Sequence, residues 1–131
     1  MKRLFFDTNI ILDFLIREEY QPDIRKLIME SSGMQLYVSY LTIANAAYIL
    51  RKRPKDEMIR YLRLILNIFA VVPNNVDQIL EALKVEVPDF EDMLQYQTAL
   101  SSRCDVIITR NVKDFPFSVL PVLTVQQFLS R

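Results

Sequence analysis

Apolar residues in this chain recur with two different periods, and the switches between them mark the elements. Leu4-Phe5-Phe6, Ala70-Val71-Val72 and Val106-Ile107-Ile108 are short unbroken apolar runs stopped by polar residues or proline. In Leu4–Phe6 and Val106–Ile108 that is the pattern of a buried strand of the central kind, and Ala70–Val72 is a brief strand. Gln35–Ser39 and Val119–Leu123 complete the expected strands.

Helical spacing fills the intervals. It runs from Ile10 to Ile16 and again from Pro22 to Ser31, with Pro22 suited to a first turn and Gly33 to the exit. Leu41, Ala44, Tyr48 and Ile49 place a helix over Leu41–Lys52, which Pro54 ends. Asp56 is the expected cap of a helix reaching Phe69, with its apolar positions at Met58, Ile59, Leu62, Ile65, Leu66 and Phe69. Asn75 caps Val76–Lys84, Pro88-Asp89 starts a helix to Arg103, and Thr124 caps a closing helix carrying Phe128 and Leu129 inward. Strands alternating with helices predict a three-layer α/β/α sandwich around a central, mainly parallel sheet. With no repeat, low-complexity tract or linker, residues 1–131 are expected to form one domain.

Composition narrows the chemistry. The chain has no histidine, which excludes Ser-His-Asp and Cys-His nucleophilic sites, histidine-ligated zinc and a histidine general base. Its only glycine, Gly33, cannot build a phosphate-cradling loop. One cysteine, Cys104, allows no internal disulfide. No leader or membrane span is apparent, so a cytoplasmic location is expected, without membrane attachment. Sixteen basic and sixteen acidic residues cancel, yet Arg51-Lys52-Arg53-Pro54-Lys55 is a positive cluster, and Glu81, Glu86, Asp89, Glu91 and Asp92 gather in an acidic stretch. Acids lining a metal site with bases beside it would suit a polyanionic substrate.

Three acids fall at ends of elements: Asp7 after the first strand, Asp92 in the first turns of the helix from Phe90, and Asp114 in the turn after Val106–Thr109. The crevice beyond the carboxyl ends of parallel strands is where such sheets bind ligands. Two carboxylates about 4 Å apart repel by about 4 kcal/mol at an effective dielectric near 20, so a convergent set requires protons or a cation. Magnesium or manganese is the expected cofactor, since both take oxygen ligands, retain water and acidify it. Each acid also has an ordinary reading: Asp7 as a cap, Asp92 as a charge at a helix start, Asp114 as a turn residue. Glu91, about 100° around the helix from Asp92, is expected to be solvated.

Phe5-Phe6-Asp7-Thr8-Asn9-Ile10-Ile11-Leu12-Asp13 resembles the opening of the PIN-domain family. Asp105-Val-Ile-Ile-Thr109-Arg110-Asn111-Val-Lys-Asp114-Phe115 resembles its closing motif, and Phe90-Glu91-Asp92-Met93-Leu94-Gln95 with Ala99 is similar to the helix supplying its third acid. The segments keep the family's order over nearly the whole chain. The resemblance implies a metal-dependent endoribonuclease, most often the toxin of a VapBC-type toxin–antitoxin pair, with Asp7, Asp92 and Asp114 binding one or two metal ions. Thr8 and Asn9 would support Asp7, while Thr109 and Asn111 would steady metal waters or the scissile phosphate. Arg110, Lys113 and the Arg51–Lys55 cluster are candidates for phosphate contacts, with a solvated helix end an equally good reading of Arg51–Lys55. Family members place the closing acid at either of two positions, here Asn111 and Asp114, and Asp114 is the expected ligand.

One position departs from that pattern. The helix after the second strand usually supplies a glutamate, and Asn45 stands there in this chain. An amide oxygen can still coordinate, but each lost charge weakens affinity for a hard cation. The alternative to an active nuclease is therefore a catalytically weakened PIN-fold module that binds RNA or protein. Expected partners are RNA, a cognate antitoxin held in a helical groove near Met58–Phe69, and a second copy in a homodimer. The apolar faces of Ile10–Leu27 and Met58–Phe69 motivate the last two.

Overall fold

The apolar runs lie side by side in one sheet. The computed structural model describes residues 2–86 and 89–131. Its strands are β1 (Arg3–Phe6), β2 (Gln35–Ser39), β3 (Ala70–Val72), β4 (Val106–Ile108) and β5 (Val122–Leu123). They are ordered β3-β2-β1-β4-β5, and every ladder is parallel, with Phe5 opposite Tyr37 on one side and Ile107 on the other. The helices are α1 (Thr8–Ile16), α2 (Gln21–Glu30), α3 (Tyr40–Ile49), α4 (Lys55–Ile68), α5 (Val76–Leu83), α6 (Phe90–Ser101) and α7 (Val125–Leu129).

Because side chains alternate across a strand, the sheet separates two cores. Leu4, Phe6, Val38, Val106 and Ile108 pack against Ile11 and Phe14 of α1, Ile24 and Leu27 of α2, Ile65 of α4 and Phe128 of α7. Phe5 and Ile107 face the opposite way, onto Ala82 of α5 and Met93, Tyr96 and Ala99 of α6. Each large apolar side chain buried this way contributes roughly 1.5–3 kcal/mol, and together they fix the α/β/α sandwich.

Several boundaries differ from the sequence reading, for local reasons. Pro54 occupies the cap of α4, and Asp56 lies in its first turn without capping through its side chain. The helix over Leu41–Lys52 tightens into a 3-10 turn at Leu50–Lys52 before Pro54. Only Val122 and Leu123 of the expected last strand pair with β4. Val119 is 82% exposed, and its amide donates to the Tyr96 hydroxyl, while the Ser118 hydroxyl turns the chain by bonding Leu120. The expected helix start at Pro88 lies outside the described residues; Asp89 caps α6, accepting from the amides of Glu91 and Asp92.

The apolar surplus is also placed differently. Ile10, Ile11, Phe14, Leu15, Ile24 and Leu27 are all buried within the protein, so the Ile10–Leu27 face has no surface left to offer. Exposure falls on Ile59, Leu64 and Leu66 of α4, on Tyr40, Tyr48 and Ile49 of α3, and on Val76, Leu80 and Leu83 of α5. Among the described residues no helix is long and apolar enough to cross a membrane.

Candidate functional site

The strand order reverses at β1, whose chain neighbour β2 lies on one side while β4 lies on the other. Such a reversal opens a crevice at the carboxyl ends of the strands. Asp7 stands there, directly after β1, its amide donating to the Ile108 carbonyl of β4 at 2.9 Å. It also serves as the N-cap of α1, so strand end and helix start fix its backbone together.

Donors surround its side chain, which is 6% exposed. Oδ1 accepts from the Thr8 amide at 2.8 Å and, at 3.5 Å, from Gln95 Nε2. Oδ2 accepts from the Thr109 hydroxyl at 2.9 Å. Burial nevertheless pushes the Asp7 carboxyl above the usual carboxylate range, with the Asp114 charge adding to the rise and these hydrogen bonds opposing it. No cation among the described residues is paired with it.

Asp92, Asp114 and Glu91 share its electrostatic field. The Asp92 carboxyl is pushed up to about 7, first by burial and then by the charges of Asp89, Asp7, Asp114 and Glu91. Asp114 ends the 3-10 turn Val112–Asp114 and acts on both Asp7 and Asp92. Asp92 and Asp114 border a cleft of about 660 Å³ with Asp89, Lys113 and Phe117.

The other predicted site residues form the scaffold. Asn9 donates to the Thr109 hydroxyl at 3.3 Å and accepts from the Arg110 amide at 3.2 Å, so it orients the donor to Asp7 from behind. The Thr8 hydroxyl meets that of Thr42 at 2.9 Å. The Asn111 amide donates to Thr109 Oγ1, and its side chain is exposed. The Arg110 guanidinium points to both carboxylate oxygens of Asp13, at 3.1 and 3.3 Å, and lies 5.5 Å from the Tyr20 ring centre. This ion pair engages a side chain that the family resemblance assigns to phosphate.

Asn45 Nδ2 donates to Glu91 Oε1 at 2.8 Å. Glu91 is exposed overall, as the helical wheel expects, yet it is not turned away from the acids: its carboxyl is raised by partial desolvation, then by Asp89 and Asp7, with Asn45 opposing. Sequence reasoning also passed over Ser39, Thr42 and Gln95. Gln95 is buried, accepts from Ser39 at 2.7 Å, and donates to Thr42 and Thr8 at 3.0 and 3.1 Å. Its signal was a lone amide within the apolar run Met93-Leu94-Gln95-Tyr96, which must find polar partners once buried.

Asp7, Asp92, Asp114 and Glu91 offer the oxygen donors that a hard divalent cation takes. Convergence is a separate requirement. Among the described residues no three histidine, cysteine or acidic side chains gather closely enough to hold one ion. Magnesium or manganese thus finds the right donor type without a ready-made cage.

A sequence model described as PIN domain matches residues 3–113. The chain belongs to the PIN domain family. Solved structures agree in fold. VapBC2 from Rickettsia felis, bound to a promoter DNA fragment, gives a TM-score of 0.74 at 14% identity, covering 93% of this chain and 98% of that one. VapBC-1 from nontypeable Haemophilus influenzae gives 0.73 at 23%, covering 95% and 98%. PAE2754 from Pyrobaculum aerophilum gives 0.68 at 21%, covering 99% and 88%. No curated protein sequence matches this PIN domain.

Proposed function

We propose that this PIN domain is an RNA-binding module whose metal-dependent phosphodiester hydrolysis is weakened. The observation that carries the reading is at Asn45: a neutral amide spends its donor on Glu91, while no three acids converge among the described residues. Single-stranded or looped RNA is the proposed ligand because its bases are open to a shallow surface. Lys113 in the cleft supplies a cation for phosphate. The Asp92 carboxyl, pushed up to about 7 by burial and by its acidic neighbours, resists ionisation until a cation joins it.

A second reading is the full activity, a magnesium- or manganese-dependent endoribonuclease acting as the toxin of a type II toxin–antitoxin pair. The field shared by Asp7, Asp89, Glu91, Asp92 and Asp114 favours it, since a divalent ion would relieve that repulsion. When bound, such an ion would supply an acidified water as nucleophile. An antitoxin segment would lie on the exposed face of α4, and a homodimer would cover the apolar residues of α5, both in the cytoplasm.

Anisotropy with a labelled single-stranded RNA, run beside cleavage assays in magnesium and manganese, separates the readings. Binding with slow or absent cleavage supports the weakened module. Rapid cleavage that stops on chelation and leaves 5′-phosphates supports the nuclease. RNA that neither binds nor is cut overturns both.

A further inference from the structure

The outer end of α3 combines features that neither the acid cleft nor the fold requires. Tyr48 is 62% exposed, and the Arg51 guanidinium lies 3.8 Å from its ring centre. Arg51 Nη1 donates to the Tyr48 carbonyl at 2.7 Å, which satisfies a helix-end acceptor and also fixes the guanidinium over the ring. Lys52, Arg53 and Lys55 follow, all exposed. Among the described residues only Arg53 of this group is in an ion pair, with Glu57 at 2.9 Å, leaving Arg51, Lys52 and Lys55 to balance Asp56. A helix C-terminus explains one cation well. It does not explain an exposed aromatic ring beneath that cation.

The patch connects with the acids through α3. Asn45, bonded to Glu91, lies three positions before Tyr48 and so on a neighbouring strip of the same helix. We infer that this end of α3, with Arg51 over Tyr48 among Lys52, Arg53 and Lys55, is a stacking platform for a base of single-stranded RNA. The inference rests on the RNA-binding reading and adds a base-contact site on α3, the helix that Asn45 ties to Glu91. Bases stack on aromatic rings and guanidinium planes, and flanking lysines and arginines take the backbone phosphates. Charge complementarity selects a polyanion over an apolar protein segment, because a base needs the ring and its phosphates need the cations.

The test uses the full chain, chelator to prevent cleavage, and a labelled RNA of roughly twelve nucleotides, within the range one such surface spans. Tyr48→Ala should weaken binding roughly tenfold and Tyr48→Phe should retain it, while Arg51→Lys, which keeps charge but loses the plane, should fall between. An oligonucleotide with abasic positions should bind wild type more weakly and be indifferent to Tyr48→Ala. Thermal melting of each variant should match wild type, since both side chains are exposed. If RNA binds wild type and Tyr48→Ala equally, the platform is wrong and the RNA-binding reading stands. If wild type binds no RNA, both fail. If Tyr48→Ala alters the mass in solution but not RNA affinity, the face joins protein copies and the inference is overturned.

Discussion

Asp7 caps α1 and Asp13 lies within it; both are almost fully buried, and they are stabilised in opposite ways. Asp13 is 2% exposed and meets two arginines, Arg110 at 3.1 Å and Arg17 at 3.5 Å. Burial raises its carboxyl, and both guanidiniums pull it back. Asp7 has hydroxyl, amide and backbone donors and faces further acids instead of a cation. Two buried carboxylates, one at the start of α1 and one inside it, thus divide the work. The neutralised one ties α1 to the segment after β4, and the one without a cation retains the capacity to meet an incoming positive charge or proton.

Removing the neutralising partner should have the largest effect on stability. Arg110→Ala leaves the Asp13 charge buried with Arg17 alone. The expected loss is about 2–3 kcal/mol, below that for a wholly buried pair because Arg110 is a third exposed. Urea unfolding measures it. A loss under about 0.5 kcal/mol would place the pair with ordinary surface bridges.

Asp7→Asn should move stability less and in the other direction. The amide keeps the cap oxygen for the Thr8 amide and removes a charge that burial disfavours. Melting temperature should rise slightly, whereas any metal-dependent cleavage should be lost. A variant that melts lower would mean that the three donors outweigh desolvation, and retained cleavage would remove Asp7 from the site.

Acidity tests the same contrast across the cleft. The Asp92 carboxyl is pushed up to about 7 from 3.8, so the folded chain resists its ionisation. That penalty is fully present above the folded value, shrinks as pH falls through it and vanishes below the unfolded value. Stability should therefore increase as pH is lowered from about 8 to about 5, with Asp7 and Glu91 acting in the same sense. Asp92→Asn should flatten the rise and gain most at the alkaline end. A profile identical to wild type would show that Asp92 titrates normally.

Much of this was legible in the chain. Continuous apolarity in Leu4–Phe6 and Val106–Ile108 marked the two central strands, and the polar break after Phe6 placed Asp7 at the strand tip. Edge elements were less legible, because Val119–Leu123 has strand composition while Pro121 and the Ser118 turn confine pairing to its last two residues. Side-chain direction was hardest. A helical wheel sets Glu91 apart from Asp92, but it cannot show that α3 approaches α6 and that Asn45 draws Glu91 toward it. Nor does spacing reveal that Arg110 turns back onto Asp13, since both are charged and either could face water.

The smallest effect, and the one most informative about the cleft, is expected from Asn45→Glu. Without metal it replaces an exposed hydrogen bond to Glu91 with a second carboxylate, a cost of about 0.5–1 kcal/mol in melting or urea curves. Asn45→Ala should lose the bond without the repulsion and separate the two contributions. With manganese the order should reverse: a further anionic oxygen beside Glu91 raises affinity for a hard cation, and a tenfold gain adds about 1.4 kcal/mol to stability at saturating metal. The manganese-induced rise in melting temperature should therefore be larger for Asn45→Glu than for wild type, and RNA cleavage should strengthen with it. An unchanged rise would make Asn45 and Glu91 a surface pair outside the cleft's ion chemistry, and the weakened-centre reading would lose the observation that carries it.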